Sequence, residues 1–336
     1  EGVDPGRVLD STSVQELGDV PAHLVVLGGG AVGVEFGQLF RRFGARVTIV
    51  QRGERLLGRG EDPELAACLE GILREDGIEV LLGTAAGGVE TAGGGGDEAL
   101  PLRLRAVGVK TRTTRDIHAS HLLVATGRVP NTETLGLQAA GIQTSESGHV
   151  VASPTLETNV PGVYVLGDVK GGPAFTHVSY DDFRIVRDNL ARDREASSPA
   201  AEPKTTHARA ACIPSVVYTD PQVAHVGPKW GDLAASPRAA SGPQLVSYAM
   251  PGSWIARGLE TDETRGMMKA VVEAETGRIV SFAAIGPEAG EVMAVVQMAM
   301  LGGVRWEGLR DAVWAHPSWS ESLNNLWGGE RRVIEF

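Results

Sequence analysis

Three glycines, Gly28, Gly30 and Gly33, stand in the spacing G-x-G-x-x-G. They follow the apolar run Leu24–Leu27 and precede residues 31–43, where Val32, Phe36, Leu39 and Phe43 recur at helical spacing. A glycine turn between a strand and an amphipathic helix is built to receive a pyrophosphate. Gly28 allows the tight turn, Gly30 lets the backbone approach phosphate with no Cβ in the way, and Gly33 lets the helix pack closely on the strand. The helix N-terminus adds free N–H groups and partial positive charge. A glycine-rich turn without a ligand shares the glycines but has no need of the strand, the helix and the distance to Gln51. About 20 residues beyond such a turn, an acid bonds the ribose 2′-hydroxyl of NAD, whereas an arginine accepts the 2′-phosphate of NADP. Here that place holds Gln51 and Arg52, with Arg55 nearby. A missing carboxylate and an available guanidinium favour NADPH over NADH. Glycine at the third position is the counter-signal, and Arg52 also reads as a solvated loop charge.

Other residues of chemical interest are less specific on their own. Asp168 follows the apolar run GVYVLGD, as either a carboxylate offered at the C-terminal edge of a sheet or a cap on the next turn. Glu35 reads as a first-turn acid complementing the helix dipole. His316 stands before a short helical stretch and, taken alone, reads as an ordinary histidine. The remaining histidines, His177 and His225 among them, lack paired ligand spacing, and no metal site is expected. Cys68 and Cys212 are far apart and form no metal-ligand or vicinal pair.

The elements that must position these groups follow from periodicity. Strands are expected at Leu24–Leu27, Arg46–Val50 and Ile78–Leu82, with helices at Ala31–Phe43 and Glu64–Glu75. This β-α-β-α-β order implies a parallel sheet with right-handed crossovers. Residues 85–119 read as an antiparallel excursion with a flexible tip at the glycines 93–96, after which the chain returns at Leu122–Ala125. Residues 1–20 read as an incoming loop with a short helical turn. A strand is expected at 162–168 and a helix at Thr176–Leu190, then a linker through 191–211, rich in Ala, Pro, Ser and charge. Strands at 213–221 and 267–286, the latter turning at Glu275–Gly277, and helices at Ala289–Leu301 and Trp306–Ala312 make the last third α+β.

With 336 residues the chain has room for two or three domains. Its 42% hydrophobic and 22% charged content is that of a globular protein, with no apolar run long enough to cross a bilayer and no visible secretory signal. A formal charge of −11 argues against nucleic acid or an anionic membrane as the main partner and favours a small molecule. A reducing cytoplasm is the expected compartment.

Together GGGAVGVEFG, LLVATGRVPN, GVYVLGDVKGGPAFTHVSYDDF, IPSVVYTDPQVAHVG and HPSWSESLNNLW resemble, in order and spacing, the flavin-dependent pyridine nucleotide-disulfide oxidoreductases. That family contains dihydrolipoamide dehydrogenase, glutathione reductase and mercuric reductase, and the wording is nearest the mercuric-reductase-like branch. The resemblance spans nearly the whole chain. It implies an α/β fold in which a Rossmann-like NAD(P) domain is inserted in a partial FAD domain, followed by a C-terminal α+β dimerisation domain. The boundaries it implies are a link at 1–20, the NAD(P) domain at 21–120, the returning part of the FAD domain at 121–195, a linker at 196–211 and the dimerisation domain at 212–336. The expected cofactors are FAD and NADP or NAD, and the expected assembly is a homodimer.

By the same resemblance Asp168 bonds the flavin ribityl chain, and Phe175 and Thr176 open a helix facing the flavin pyrimidine. Thr126, Gly127 and Arg128 match the turn crossing near the flavin, although a tight turn alone explains Gly127. Glu35 is expected to pair with a lysine beside the flavin. His316, Pro317 and Glu321 match H-P-x-x-x-E, where the imidazole is general base to a thiol across the dimer and the carboxylate orients it. The flavin's own glycine motif, the redox cysteine pair and the partner lysine are not in this sequence. The expectation is therefore a fragment, inactive by itself, of an enzyme passing hydride from NAD(P)H through FAD to a small-molecule, disulfide or metal-ion acceptor. WGGERRVIEF lacks the terminal cysteines of mercuric reductases, so mercuric ion is not the first choice; Trp319 is expected to pack at the interface. Two other readings stand: a non-catalytic nucleotide-binding and dimerising module, and a cysteine-independent transhydrogenase or quinone-type reductase.

Overall fold

The computed structural model describes residues 3–92, 99–194, 202–235 and 242–334. Five parallel strands form the first sheet: β1 (Val8–Leu9), β2 (His23–Leu27), β3 (Arg46–Val50), β4 (Glu79–Leu81) and β8 (His121–Val124), in the order β1-β8-β2-β3-β4. Strands covered on both faces must be apolar almost throughout, and Leu24, Val25, Val26, Val47 and Ile49 are each at most 1% exposed. The first crossover is α1 (Ala31–Arg42), which turns Gly33, Val34, Gly37 and Phe40 inward. The second is α2 (Pro63–Glu75), with proline in its first turn and Asp62 as cap, accepting from the N–H groups of Glu64 and Leu65.

Between β4 and β8 lies the antiparallel excursion, a sheet of β5 (Thr84–Thr91), β6 (Leu102–Gly108) and β7 (Thr114–Ala119). The glycine tip at 93–96 lies outside the described residues. The last part of the chain forms a second sheet, ordered β14-β11-β12-β13-β10-β9, from β9 (Pro214–Val217), β10 (Gln222–Val226), β11 (Leu245–Pro251), β12 (Met267–Glu273), β13 (Ile279–Gly286) and β14 (Glu330–Val333). Helix α5 (Ala289–Leu301) packs on it, and the shorter α4 (Trp230–Ala235), α6 (Trp306–Asp311) and α7 (Ser322–Asn325), with one helical turn at Ala256–Glu260, complete this part of the chain.

Two compact units result, Glu1–Thr126 with Pro214–Phe336, and Gly127–Ile213. In the first, one core runs from Val26, Ile49, Leu65 and Leu69 of the nucleotide lobe into Val223, Ala283 and Ile285 of the second sheet. In the other, α3 (Thr176–Arg194) buries Ile185 and Val186 against Leu156.

Three sequence expectations need correction. Residues 1–20 contribute the strand β1, which pairs Val8 with Leu122 and Leu9 with Leu123; a two-residue strand is too short to show periodicity. The apolar run at 162–168 is not a strand: it makes a lone bridge, Glu157 to Tyr164, then a 3-10 turn at Gly167–Lys170, because no ladder partner is supplied among the described residues. The segment expected to be a linker is helical as far as Arg194 and turns again at Thr206–Arg209, held by hydrogen bonds between Asn189 and both the N–H and the carbonyl of Lys204. Residues 195–201 lie outside the described residues.

Candidate functional site

The glycine turn sits where β2 leaves the sheet. Gly28 has φ +108°, and a Cβ there would lie 2.3 Å from the Ala125 carbonyl oxygen at the end of β8. A Cβ on Gly33 would lie 1.9 Å from the Gly28 carbonyl oxygen, so the helix touches the turn at this point. Gly30 is different: a Cβ would meet no described atom within 4 Å. It is also the N-cap of α1, and no side chain caps that end. Backbone N–H groups and the positive end of the helix dipole therefore face open space, the arrangement that receives an anion.

Gln51, at the end of β3, serves the turn itself. Its Oε1 accepts from the Gly29 N–H at 3.0 Å, and its Nε2 donates to the Arg55 carbonyl at 3.1 Å. Arg52 is exposed and forms no ion pair among the described residues. Glu54 in the same loop pairs with Lys110 at 2.5 Å, which holds its carboxyl below the usual carboxylate range. Glu54 and Lys110, with Leu81, Thr84, Thr113 and Arg115, line a cavity of about 320 Å³ at the sheet's C-terminal edge.

Glu35 is half-buried in α1, and its Oε1 accepts from the Tyr218 N–H at 2.7 Å. Three residues on, Gln38 donates to the Asp220 carbonyl at 2.8 Å and accepts from the Asp220 N–H at 2.7 Å. Both anchors come from the segment after β9. One carboxylate oxygen of Glu35 is thereby fixed.

Thr126 closes the first unit, exposed, immediately after Ala125. Within the second unit Arg128 and Asp168 are brought together at 3.4 Å, both largely exposed. Asp168 lies in the turn opened by Gly167 at φ +74°. Phe175 precedes α3, its ring stacked on His177 at 5.1 Å, and Thr176 is exposed as the first helical residue. Gly127 has φ +151°, a conformation that favours glycine.

His316 and Glu321 are brought together. Nδ1 of the ring lies 2.8 Å from Glu321 Oε2, the histidine side chain is 67% exposed and the glutamate 15%. The carboxylate fixes the ring's direction and, by accepting from Nδ1, leaves Nε2 outward as the proton-accepting nitrogen. The Glu321 N–H is in turn bonded to Ser318 Oγ at 3.2 Å. Trp319 is half-buried, its ring 3.5 Å from where a Cβ on Gly258 would stand. Cys68 is unsuited to nucleophilic work, since burial, with Glu75 adding to it, raises its thiol pKa.

Sequence reasoning missed Tyr218, Gln38, Lys170, Asp182 and Arg209. Their partners are distant in the chain and no motif joins them.

The parallel-sheet lobe with its uncapped glycine turn is that of an α/β dinucleotide-binding protein. Residues 1–182 match the family described as pyridine nucleotide-disulphide oxidoreductase, and residues 213–326 match the dimerisation domain of that family. The chain belongs to the pyridine nucleotide-disulphide oxidoreductase family. The probable pyridine nucleotide-disulfide oxidoreductase RclA of Escherichia coli (strain K12) is 32% identical over 323 residues, which are 96% of this chain and 67% of that protein. Dihydrolipoyl dehydrogenase of Geobacillus stearothermophilus is 31% identical across 94% of this chain and 62% of its own length, and mercuric reductase of Lysinibacillus sphaericus 31% across 96% and 55%. The solved structure of the HOCl-induced flavoprotein disulfide reductase RclA from Escherichia coli aligns with a TM-score of 0.82 at 32% identity, over 97% of this chain and 68% of that one. This chain thus spans 55% to 67% of the length of these curated relatives. Members of the family are FAD-dependent and take NAD(P)H as substrate. Among the described residues no helix is long and apolar enough to cross a membrane.

Proposed function

We propose that the protein works as a homodimeric, FAD-dependent oxidoreductase that draws reducing equivalents from NADPH in preference to NADH and delivers them to a disulfide, a metal ion or a related acceptor. The observation that carries the reading is the acid-base pair: an exposed imidazole held through Nδ1 by a carboxylate at 2.8 Å. A histidine so oriented takes a proton from a thiol and returns it, which is the work needed when a thiolate leaves or attacks a disulfide.

The nucleotide site supports the same reading. The open face of Gly30 and the uncapped end of α1 suit a pyrophosphate, and exposed Arg52 suits a 2′-phosphate. Glu35, anchored by the Tyr218 N–H, would present its remaining oxygen beside the nicotinamide. On the flavin side, Asp168 would accept from a ribityl hydroxyl, Arg128 and Gly127 would border it, and Phe175 and Thr176 would place the start of α3 toward the ring. Bound FAD supplies the two-electron relay between nicotinamide and acceptor. The chain's own groups bind, orient and move the proton at His316 Nε2.

The test is anaerobic reduction, by NADPH, of the flavin-loaded enzyme that carries this chain together with its redox thiols, followed by turnover with a dithiol or disulfide, in wild type and His316→Gln. Flavin bleaching is expected in both, with turnover reduced about 100-fold or more in the variant, the usual worth of a general base. Equal turnover in the two proteins removes His316 from the mechanism.

A further inference from the structure

Asp182, on the second turn of α3, is a carboxylate with 0% side-chain exposure. Removing a carboxylate from water costs several kcal/mol unless cations and N–H donors replace the water. Its oxygens have such partners. Oδ2 accepts from the Gly167 N–H at 2.8 Å and lies 3.3 Å from Lys170 Nζ, while Oδ1 accepts from the Arg209 guanidinium. Lys170 and Arg209 are themselves mostly buried, with 11% and 17% side-chain exposure, and Arg209 also pairs with Asp181 at 2.6 Å.

The partners mark out a short stretch of chain. Gly167 and Lys170 are the first and last residues of the 3-10 turn, and Asp168 lies between them with its carboxylate exposed. One buried carboxylate thus grips both ends of the turn. Gly167 has φ +74°, and a Cβ there would stand 3.1 Å from Ser179 Oγ of α3, so the turn is pressed against the helix. The backbone on either side of Asp168 has little freedom left. Among the described residues the exposed Asp168 carboxylate pairs with Arg128 at 3.4 Å and with no other cation, and its direction follows from that backbone.

We propose that Asp182 is a positioning residue for flavin binding: by clamping Gly167 and Lys170 it aims the Asp168 carboxylate. The proposal rests on the assignment of Asp168 to the flavin made above. Asp182 itself touches no cofactor; it acts through Asp168. Its contribution is affinity, because a pre-aimed acceptor has no ordering entropy left to lose when the flavin arrives.

The experiment is a double-mutant cycle on the FAD-loaded holoenzyme, with Asp182→Asn, Asp168→Ala and the pair. FAD Kd is read by flavin fluorescence, and the visible circular dichroism of the bound flavin is recorded beside it. Asp182→Asn is expected to weaken FAD about tenfold, equivalent to about 1.4 kcal/mol, and to alter the flavin dichroism. In the Asp168→Ala background the same change is expected to add less than about twofold, since interacting sites are not additive. An equal loss in both backgrounds, or no loss in either, overturns the proposal. A loss with Asp168→Ala and none with Asp182→Asn overturns the positioning role and leaves the flavin assignment standing. No loss with Asp168→Ala sinks the assignment and the proposal together. Gly167→Ala strains the turn while keeping the carboxylate and its cations, and is expected to reproduce the weakened binding; if Asp182→Asn does not fold, normal FAD affinity in Gly167→Ala overturns the proposal.

Discussion

Gly30 and Gly33 belong to one motif, yet their surroundings separate what each does, and alanine at the two positions should fail differently. At Gly33 the new Cβ would stand 1.9 Å from the Gly28 carbonyl oxygen, whereas a carbon and a carbonyl oxygen settle at roughly 3.3 Å or more. The helix must therefore retreat by about 1.4 Å or the turn must deform. Such overpacking costs about 1–3 kcal/mol. Moving the turn by more than an ångström also displaces the N–H groups that would hold the pyrophosphate, and a misplacement of about 1 Å is worth up to about 100-fold in a reaction. At Gly30 the Cβ meets no described atom within 4 Å, so the fold should lose less than about 1 kcal/mol, from the poorer N-cap alone. The methyl would instead occupy the space left for phosphate. Urea unfolding and NADPH titration of both variants make the comparison. Gly33→Ala is expected to lose stability and NADPH affinity together, Gly30→Ala mainly affinity. Normal NADPH binding by Gly30→Ala would refute the assignment of that open face to the nucleotide.

Lys269 is buried on β12, within 2.7 Å of Asp62 and 2.8 Å of Glu64 and 4.6 Å from the centre of the Trp230 ring; Lys269→Met leaves the buried Asp62 without its cation, while Glu64 keeps Arg332, and should cost about 3 kcal/mol in urea unfolding, with a loss under about 1 kcal/mol counting against the network. Burial, outweighing the acids Glu61, Asp232 and Asp62 nearby, pushes the His225 pKa from 6.5 down to about 4. The unfolded chain therefore binds a proton that the folded one refuses, so stability from this group is full above pH 6.5 and is lost as pH falls toward 4. The urea midpoint should drift downward across that window, and His225→Gln should flatten the drift; an unchanged slope would remove His225 as its source. Arg52→Ala should raise the KM for NADPH several-fold and leave that for NADH alone, and an unaltered ratio would return Arg52 to the solvent.

The parts of the fold legible in the sequence were those where a local pattern and a tertiary need coincide. Leu24–Leu27, the glycine spacing and the helix after it obey one rule each, and neighbouring elements satisfy them. The turn at Glu275–Gly277 was legible for the same reason. The run at 162–168 misled because strand propensity needs a ladder partner, and periodicity does not say whether one is present. β14 was invisible because ERRV carries three charged residues and one valine, all exposed, and shows no strand alternation; its backbone pairing with β11 holds it. Of the site, His316 and Glu321 were legible only through the resemblance that H-P-x-x-x-E carries, since a lone histidine before a short helix says nothing by itself; the structure joins them by one local hydrogen bond. Glu35 was readable as a residue but its anchor was not, since Tyr218 is 183 positions away and gives only a backbone N–H, which any residue but proline would supply. Asp182 was hidden by its type: an acid on a helix is taken for surface until the fold supplies its cations.

The core that runs from Leu65 and Leu69 into Val223, Ala283 and Ile285 leaves no seam at which the nucleotide lobe and the C-terminal sheet would melt apart. Amides of β2 and of β13 should accordingly exchange with solvent through the same opening event, as one foldon. A dinucleotide that binds only the folded glycine turn raises the free energy of that opening by RT ln(1 + [L]/Kd), and the protection is shared by strands more than 200 residues further along the chain. The surface offered for dimerisation would thus be steadied by the level of reduced nicotinamide, without any change of shape passing between the two.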